Sequence, residues 1–219
     1  QALIEAVQQG ELDESVLNVA VERLLKIILK AQETPKGNQP LNVEGNHALA
    51  RRVASECIVL LKNKDDLLPL KGTEHVAVIG QAATTPVYQG GGSSHINSTV
   101  VDAALPFLQQ AGEVQYIVGD ASVEVDSVAI AECVQIAESA DVAVLFIALP
   151  ASIESEGYDR PHLSLTPQQV ALIQAVARTH TRTVVVLNNG SALDMREWID
   201  EVDAVLEAWL PGQAGAGAI

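Results

Sequence analysis

The chain has 219 residues, 48% of them hydrophobic, 3% aromatic and 19% charged, with a formal net charge of −15. That length is ample for one α/β domain with appendages, and 13 basic against 28 acidic residues argue against nucleic-acid binding, because such a surface repels a phosphate backbone. No apolar run approaches the roughly 18 to 20 residues of a membrane span, so the acidity reads as a solvated surface.

The chain opens on Gln1 rather than Met. Its start is therefore not expected to be a native N-terminus, and the lack of a leader carries no information about secretion. Residues 2–31 read as helical: Asp13 can cap a helix whose Val16, Val19, Ala20, Leu24, Ile27 and Ile28 keep a 3.6-residue period. Residues 34–40, polar with two prolines and a glycine, read as a linker. A second long helix is expected from Asn46, with Ala48, Leu49, Val53, Cys57, Leu60 and Leu61 on its apolar face and its end at 62–66.

Short apolar runs then alternate with helical stretches. Strands are expected at 76–79, 114–118, 142–148, 183–187 and 204–208, with helices at 101–111, 125–139, 167–179 and 195–201. The best-marked boundary is Thr166-Pro-Gln-Gln169, with Thr as N-cap, Pro at the first helical position and Gln to close a capping box. The alternation predicts an α/β fold: an open, mostly parallel sheet of about five strands with helices on both faces. Few aromatics and abundant Ala, Val, Leu and Ile favour it over an all-β sandwich.

Cys57 and Cys133 are isolated, and the five histidines show no ligand spacing, so neither a metal nor a cofactor is expected. Both thiols are expected to be buried in a thiol-tolerant compartment. The localisation is otherwise open, with the cytoplasm favoured.

Two predicted strand-end loops exceed the usual two to six residues of a βα connection, which points to function. The first, 80–99, contains Gly90-Gly-Gly-Ser-Ser-His95. It lacks a phosphate-binding fingerprint, because its glycines do not open a helix directly after the strand. It reads either as a surface loop or as one that passes close to a ligand, with Ser93, Ser94 and His95 as hydrogen-bonding groups. The second, 150–166, carries Glu154, Glu156, Gly157, Asp159 and Arg160. A solvated charged turn explains it as well as a substrate-facing glutamate does, with Asp159 and Arg160 able to form a charge pair. A lone carboxylate cannot run retaining glycoside hydrolysis, which needs two roughly 5 to 5.5 Å apart.

The order of these features resembles family 3 glycoside hydrolases, especially those built from a (β/α)8-like barrel followed by an α/β sandwich. Val19-Ala-Val-Glu-Arg-Leu-Leu-Lys26 is similar to the last barrel helix. His47 to Asn63, followed by Leu67-Leu-Pro-Leu70, is similar to the entry into the sandwich. Val76-Ala-Val-Ile-Gly80 and Gly90-Gly-Gly-Ser-Ser94 match the first strand and a loop that reaches toward the sugar. Glu156-Gly-Tyr-Asp-Arg160, with Leu163-Ser-Leu-Thr-Pro-Gln-Gln169 after it, looks like the acid/base segment. Asn188-Asn-Gly190 and Trp209-Leu-Pro-Gly-Gln213 match later sandwich motifs. The likeness covers nearly the whole chain, and the order of the motifs carries it. One departure is Ala214-Gly-Ala-Gly-Ala-Ile219, where the family often continues Glu-Gly-Gly and a helix.

The resemblance implies that residues 1–33 are the last helices of a barrel otherwise absent, 34–45 a linker, and 46–219 a sandwich domain truncated at its C-terminus. It implies a barrel aspartate as nucleophile and Glu156 as general acid/base, with Glu154 as the alternative. Gly91, Gly92, Ser93, Ser94 and His95 would line the sugar, while Asp159 and Arg160 shape the loop. Such an acid needs a raised pKa, supplied by partial burial and the neighbouring nucleophile. The implied activity is retaining hydrolysis of terminal β-D-glucosides, with β-xylosides second. Enzymes specific for N-acetylglucosaminides rank third, because they often take the acid/base from the barrel and lack this sandwich. The carbohydrate would be shared with the missing barrel, so the chain alone is expected to be inactive. Its uncovered apolar helices could drive self-association. A non-catalytic flavodoxin-like module binding a nucleotide or flavin, and a purely structural sandwich with Glu156 on its surface, are the rival readings.

Overall fold

Strands that are apolar at consecutive positions can be buried on both faces, and here they form the centre of a six-stranded sheet in the order β1-β6-β5-β4-β2-β3. The strands are β1 (Val59–Asn63), β2 (His75–Ile79), β3 (Glu113–Ile117), β4 (Val142–Ala148), β5 (Arg182–Asn188) and β6 (Ala204–Glu207). All neighbours pair in parallel except β1, which runs antiparallel to β6 at the edge. These strands come from a computed structural model that describes every residue except Pro35, Lys36, Asn38, Gln39, Ala121 and Tyr158. The predicted linker and the Tyr of the acid/base motif therefore fall partly outside the described residues.

Two compact units divide the chain, Gln1–Leu41 and Asn42–Ile219. The first holds helices α1 (Ala2–Gln8) and α2 (Glu14–Glu33). Asp13 caps α2 as expected, its carboxylate accepting the Ser15 N–H at 2.8 Å. Val16, Leu24, Ile27 and Ile28 are all exposed, and α2 has no buried residue.

The second unit adds α3 (Val43–Cys57), α4 (Ala104–Ala111), α5 (Ser127–Glu138) and α6 (Pro167–Ala177). Side chains alternate between the faces of each strand. Ile79, Leu145, Ile147, Val185 and Leu187 pack on Cys133, Ala137, Leu172, Ile173 and Val176 from α5 and α6. On the opposite face Val78, Val144, Phe146, Val184 and Val186 meet Ala104 and Leu108 of α4. Each of the larger side chains stabilises the fold by about 1.5–3 kcal/mol on burial. The capping box at Thr166 forms as expected. Gln168 and Gln169 then donate to the carbonyls of Gly119 and Ala148, so the start of α6 is pinned to the strand ends.

Five sequence expectations change. The second helix starts at Val43, where Asn42 accepts the Gly45 N–H, and stops at Cys57 because Ile58 turns extended. Residues 59–63, expected as its last turn, instead form the sixth strand. Its inward face is also not the apolar one: Leu49 and Val53 are exposed, while Ala54 is buried. Arg51 turns to the same side, stacking over the Phe107 ring at 4.9 Å and pairing with Asp102, which His47 also meets. Cys57 is accordingly exposed, whereas Cys133 is buried with its thiol pushed up to about 11, first by burial and then by Asp120 and Glu132. Finally, residues 195–201 make successive turns rather than a helix, with both Trp198 and Ile199 N–H groups donating to the Met195 carbonyl.

Candidate active site

In a parallel sheet the loops leaving the carboxyl ends of the strands are free to hold ligands. Strand order decides which loops meet. Because β4 lies between β5 and β2, the loop after β4 is flanked by the loops after β5 and β2. Together they wall a cleft of about 770 Å³, with the glycine loop on one side and Glu154, Glu156, Asp159 and Arg160 on the other. Pro86, Val87, Leu149, Ile153 and Leu210 add an apolar lining.

The loop after β4 begins with a turn in which Ile153 and Glu154 both donate to the Pro150 carbonyl. Its two glutamates then diverge. Glu156 reaches the glycine loop, where its Oε2 accepts the Ser93 N–H at 2.5 Å and the Ser93 hydroxyl at 2.6 Å. Gly92 permits this approach: its φ is +69°, and a Cβ there would stand 2.7 Å from the Glu156 Cβ. Glu154 turns the other way, with Oε2 accepting the Gly190 N–H at 2.7 Å and Oε1 the Ser191 hydroxyl.

The remaining expected residues have mainly internal partners. Ser94 donates its hydroxyl to the Gly91 carbonyl, closing the short 3₁₀ turn Gly92–Ser94. The His95 ring contacts the Gln89 amide, which also holds both backbone groups of Ile96. Asp159 and Arg160 form no ion pair among the described residues. Arg160 donates instead to the Ala192 carbonyl, a second link from this loop to the one after β5.

The electrostatics of Glu156 differ from the expected raised acid. The side chain is exposed, and the Ser93 hydroxyl, followed by the Ser93 N–H, holds its carboxyl below the ordinary 4.5. Two donors aimed at one carboxylate favour the ionised form. With the folded value lowered, this contact stabilises the fold above pH 4.5 and the contribution is lost as pH falls through the lowered value. Ser93→Ala removes the larger of the two bonds. The Glu156 midpoint, followed by carboxyl-carbon NMR, is therefore expected to rise toward 4.5; an unmoved midpoint would contradict this account.

Several site residues lay outside the sequence reading. Gln89 braces the glycine loop, and Asn189, fully buried, donates to the Ser191 carbonyl at 2.9 Å. Glu207, buried at the end of β6, accepts the Trp209 N–H at 2.9 Å. Burial pushes its carboxyl up, and the charge of Glu154 adds to the effect. Trp209 itself has a φ of +57°, a costly conformation for so bulky a residue. The only sequence signal was the motif membership of Asn189 and Trp209, which named no partner. Among the described residues no three His, Cys, Asp or Glu side chains gather to hold a metal ion, and no helix is long and apolar enough to cross a membrane.

A doubly wound α/β domain with glutamates in a strand-end cleft is thus the class that fold and site define. The description "Glycosyl hydrolase family 3 C-terminal domain" matches residues 58–219, so the chain belongs to glycosyl hydrolase family 3. It is 45% identical over 223 residues to the thermostable β-glucosidase B of Acetivibrio thermocellus, covering 99% of this chain and 29% of that protein. An exo-α-(1→6)-L-arabinopyranosidase of Bifidobacterium longum is 34% identical, with 99% and 30% covered. The crystal structure of a family 3 β-glucosidase from Bifidobacterium adolescentis superposes with a TM-score of 0.91 at 35% identity, covering 99% of this chain and 32% of that one. The chain therefore spans about three tenths of the length of these relatives.

Proposed function

We propose that the chain is the sandwich segment of a retaining β-glycosidase that hydrolyses terminal β-D-glucosides, with Glu156 as its general acid/base. The observation that carries this is the address of Glu156, beyond the carboxyl end of β4 and facing the glycine loop in the strand-end cleft. The 45% identity to a β-glucosidase supports the choice of sugar. Residues 1–33 are read as the end of a barrel, 34–45 as a linker and 46–219 as the sandwich domain. The exposed apolar side chains of α2 suit a helix built to be covered, and copies of the isolated chain would associate through them.

In this scheme a carboxylate from outside the chain attacks the anomeric carbon while Glu156 gives its proton to the departing glycosidic oxygen. Glu156 then takes a proton from water, whose oxygen attacks the same carbon and releases the nucleophile. The carboxyl of Glu156, low in the chain alone, must rise to do this. A second carboxylate nearby and a sugar excluding water both act in that direction.

Pentopyranosides stay in view because of the 34% identity to an arabinopyranosidase, with β-xylosides as the second choice of sugar. The test compares 4-nitrophenyl β-D-glucoside, β-D-xyloside and α-L-arabinopyranoside as substrates of the full-length enzyme. The highest kcat/KM is expected for the glucoside, and background rates on all three would overturn the proposal. The 219-residue chain is expected to turn over none of them. Hydrolysis by the chain alone would mean that it carries its own nucleophile.

A further inference from the structure

Glu154 stands two residues before Glu156 and lines the same cleft, yet both its oxygens are engaged as acceptors by a neighbouring loop. Asn189 is fully buried, and its amide fixes the turn that presents the Gly190 N–H and the Ser191 hydroxyl. The same pair of loops is joined again by Arg160 and the Ala192 carbonyl. On its other side the loop after β4 meets the glycine loop through the packing of Ser155 on Gly91 and through the exposed Glu156–Ser93 hydrogen bonds, which must let go for Glu156 to act on a substrate. When Glu156 releases Ser93, the bonds of Glu154 and Arg160 remain to keep its loop in place.

We infer that Glu154 is a positioning residue: its carboxylate ties the loop bearing Glu156 to the turn after β5 and so sets where Glu156 stands over the cleft. This inference rests on the acid/base reading of Glu156. Misplacing a catalytic group by about 1 Å can cost on the order of 100-fold in rate. Glu154→Gln keeps the shape but replaces one acceptor oxygen with a donor, and Ser191→Ala removes one partner while sparing the glutamate.

The experiment uses the full-length enzyme and measures kcat/KM on alkyl and 2,4-dinitrophenyl β-D-glucosides, product formation with azide, and hydrogen–deuterium exchange across residues 151–160. For Glu154→Gln, kcat/KM on the alkyl glucoside is expected to fall about 10- to 100-fold, while the dinitrophenyl glucoside, which needs little proton assistance, stays near wild type. No glycosyl azide should form, and amide exchange across 151–160 should speed up. Ser191→Ala should show a smaller version of the same pattern. Unchanged leaving-group dependence together with unchanged exchange overturns the inference. Glycosyl azide from Glu154→Ala, with none from Glu156→Ala, would make Glu154 the acid/base and overturn both readings. A wild-type enzyme without glycosidase activity would remove only the role of Glu156, because exchange in Glu154→Gln still decides whether the tether holds the loop.

Discussion

Glu156→Ala in the full-length enzyme is expected to lower kcat/KM on glucosides with unactivated leaving groups by about 10²- to 10⁴-fold, the usual contribution of a positioned proton donor. An alkoxide is a poor leaving group unless protonated as the bond breaks, whereas a dinitrophenolate departs unaided. The loss should therefore shrink steadily as the leaving group becomes more acidic. The second half-reaction also suffers, because water must be deprotonated to attack. Azide needs no base, so it should restore turnover and appear in the product as a glycosyl azide. The fold should barely notice the substitution, since Glu156 is exposed and the Ser93 donors it vacates can turn to water. Equal losses on activated and unactivated substrates, with no azide product, would remove Glu156 from the acid/base role.

Gly80→Ala carries the largest expected effect on stability. Gly80 directly follows β2 with a φ of +117° and ψ of 139°, a conformation L-residues rarely adopt, and its N–H donates to the Ile117 carbonyl at 3.0 Å. A Cβ there would fall onto the Phe146 carbonyl oxygen in the adjacent central strand, which cannot yield without breaking the β2–β4 register. Backbone strain costs about 1–3 kcal/mol, and overpacking a tight site about another 1–3 kcal/mol. At roughly 2–4 °C per kcal/mol for a domain of this size, Tm should fall on the order of 10 °C. Gly157→Ala is the control: its φ is +99°, but among the described residues beyond its chain neighbours no atom lies within 4 Å of the added Cβ, which leaves the strain. Equal shifts in the two melts would show that the contact with Phe146 carries no weight.

Parts of the fold were legible because their signals are local. The run 142–148 is apolar at every position, which demands burial on both faces and hence a central place in a parallel sheet; β4 occupies it. The Thr166 capping box depends on residues three apart and formed as read. The turn to extended backbone at Ile58 was hidden, because Leu60 and Leu61 continue the helical spacing of Ala48, Leu49 and Val53. Only pairing with β6, more than 140 residues away in sequence, selects a strand there. The inward side of α3 was hidden for a similar reason. Arg51 faces inward because Asp102 and the Phe107 ring receive it, partners that no periodicity within the helix can reveal.

The candidate site divides along the same line. Glu154, Glu156 and the glycine loop were visible as two long strand-end loops of suggestive chemistry, and the alternation of elements placed both at one edge of a parallel sheet. Which glutamate faces which loop was beyond the sequence. Their chemistry is identical, and a single residue, Ser155, separates them. Strand order set the difference: with β4 between β2 and β5, one carboxylate meets Ser93 and the other meets Gly190 and Ser191. The protonation bias of Glu156 was likewise decided in three dimensions, because it depends on donors 63 residues away rather than on neighbours in the chain. Element type and loop chemistry thus follow from short-range patterns of side chains, while partners, register and charge state follow from contacts that only the folded sheet brings within a few ångströms.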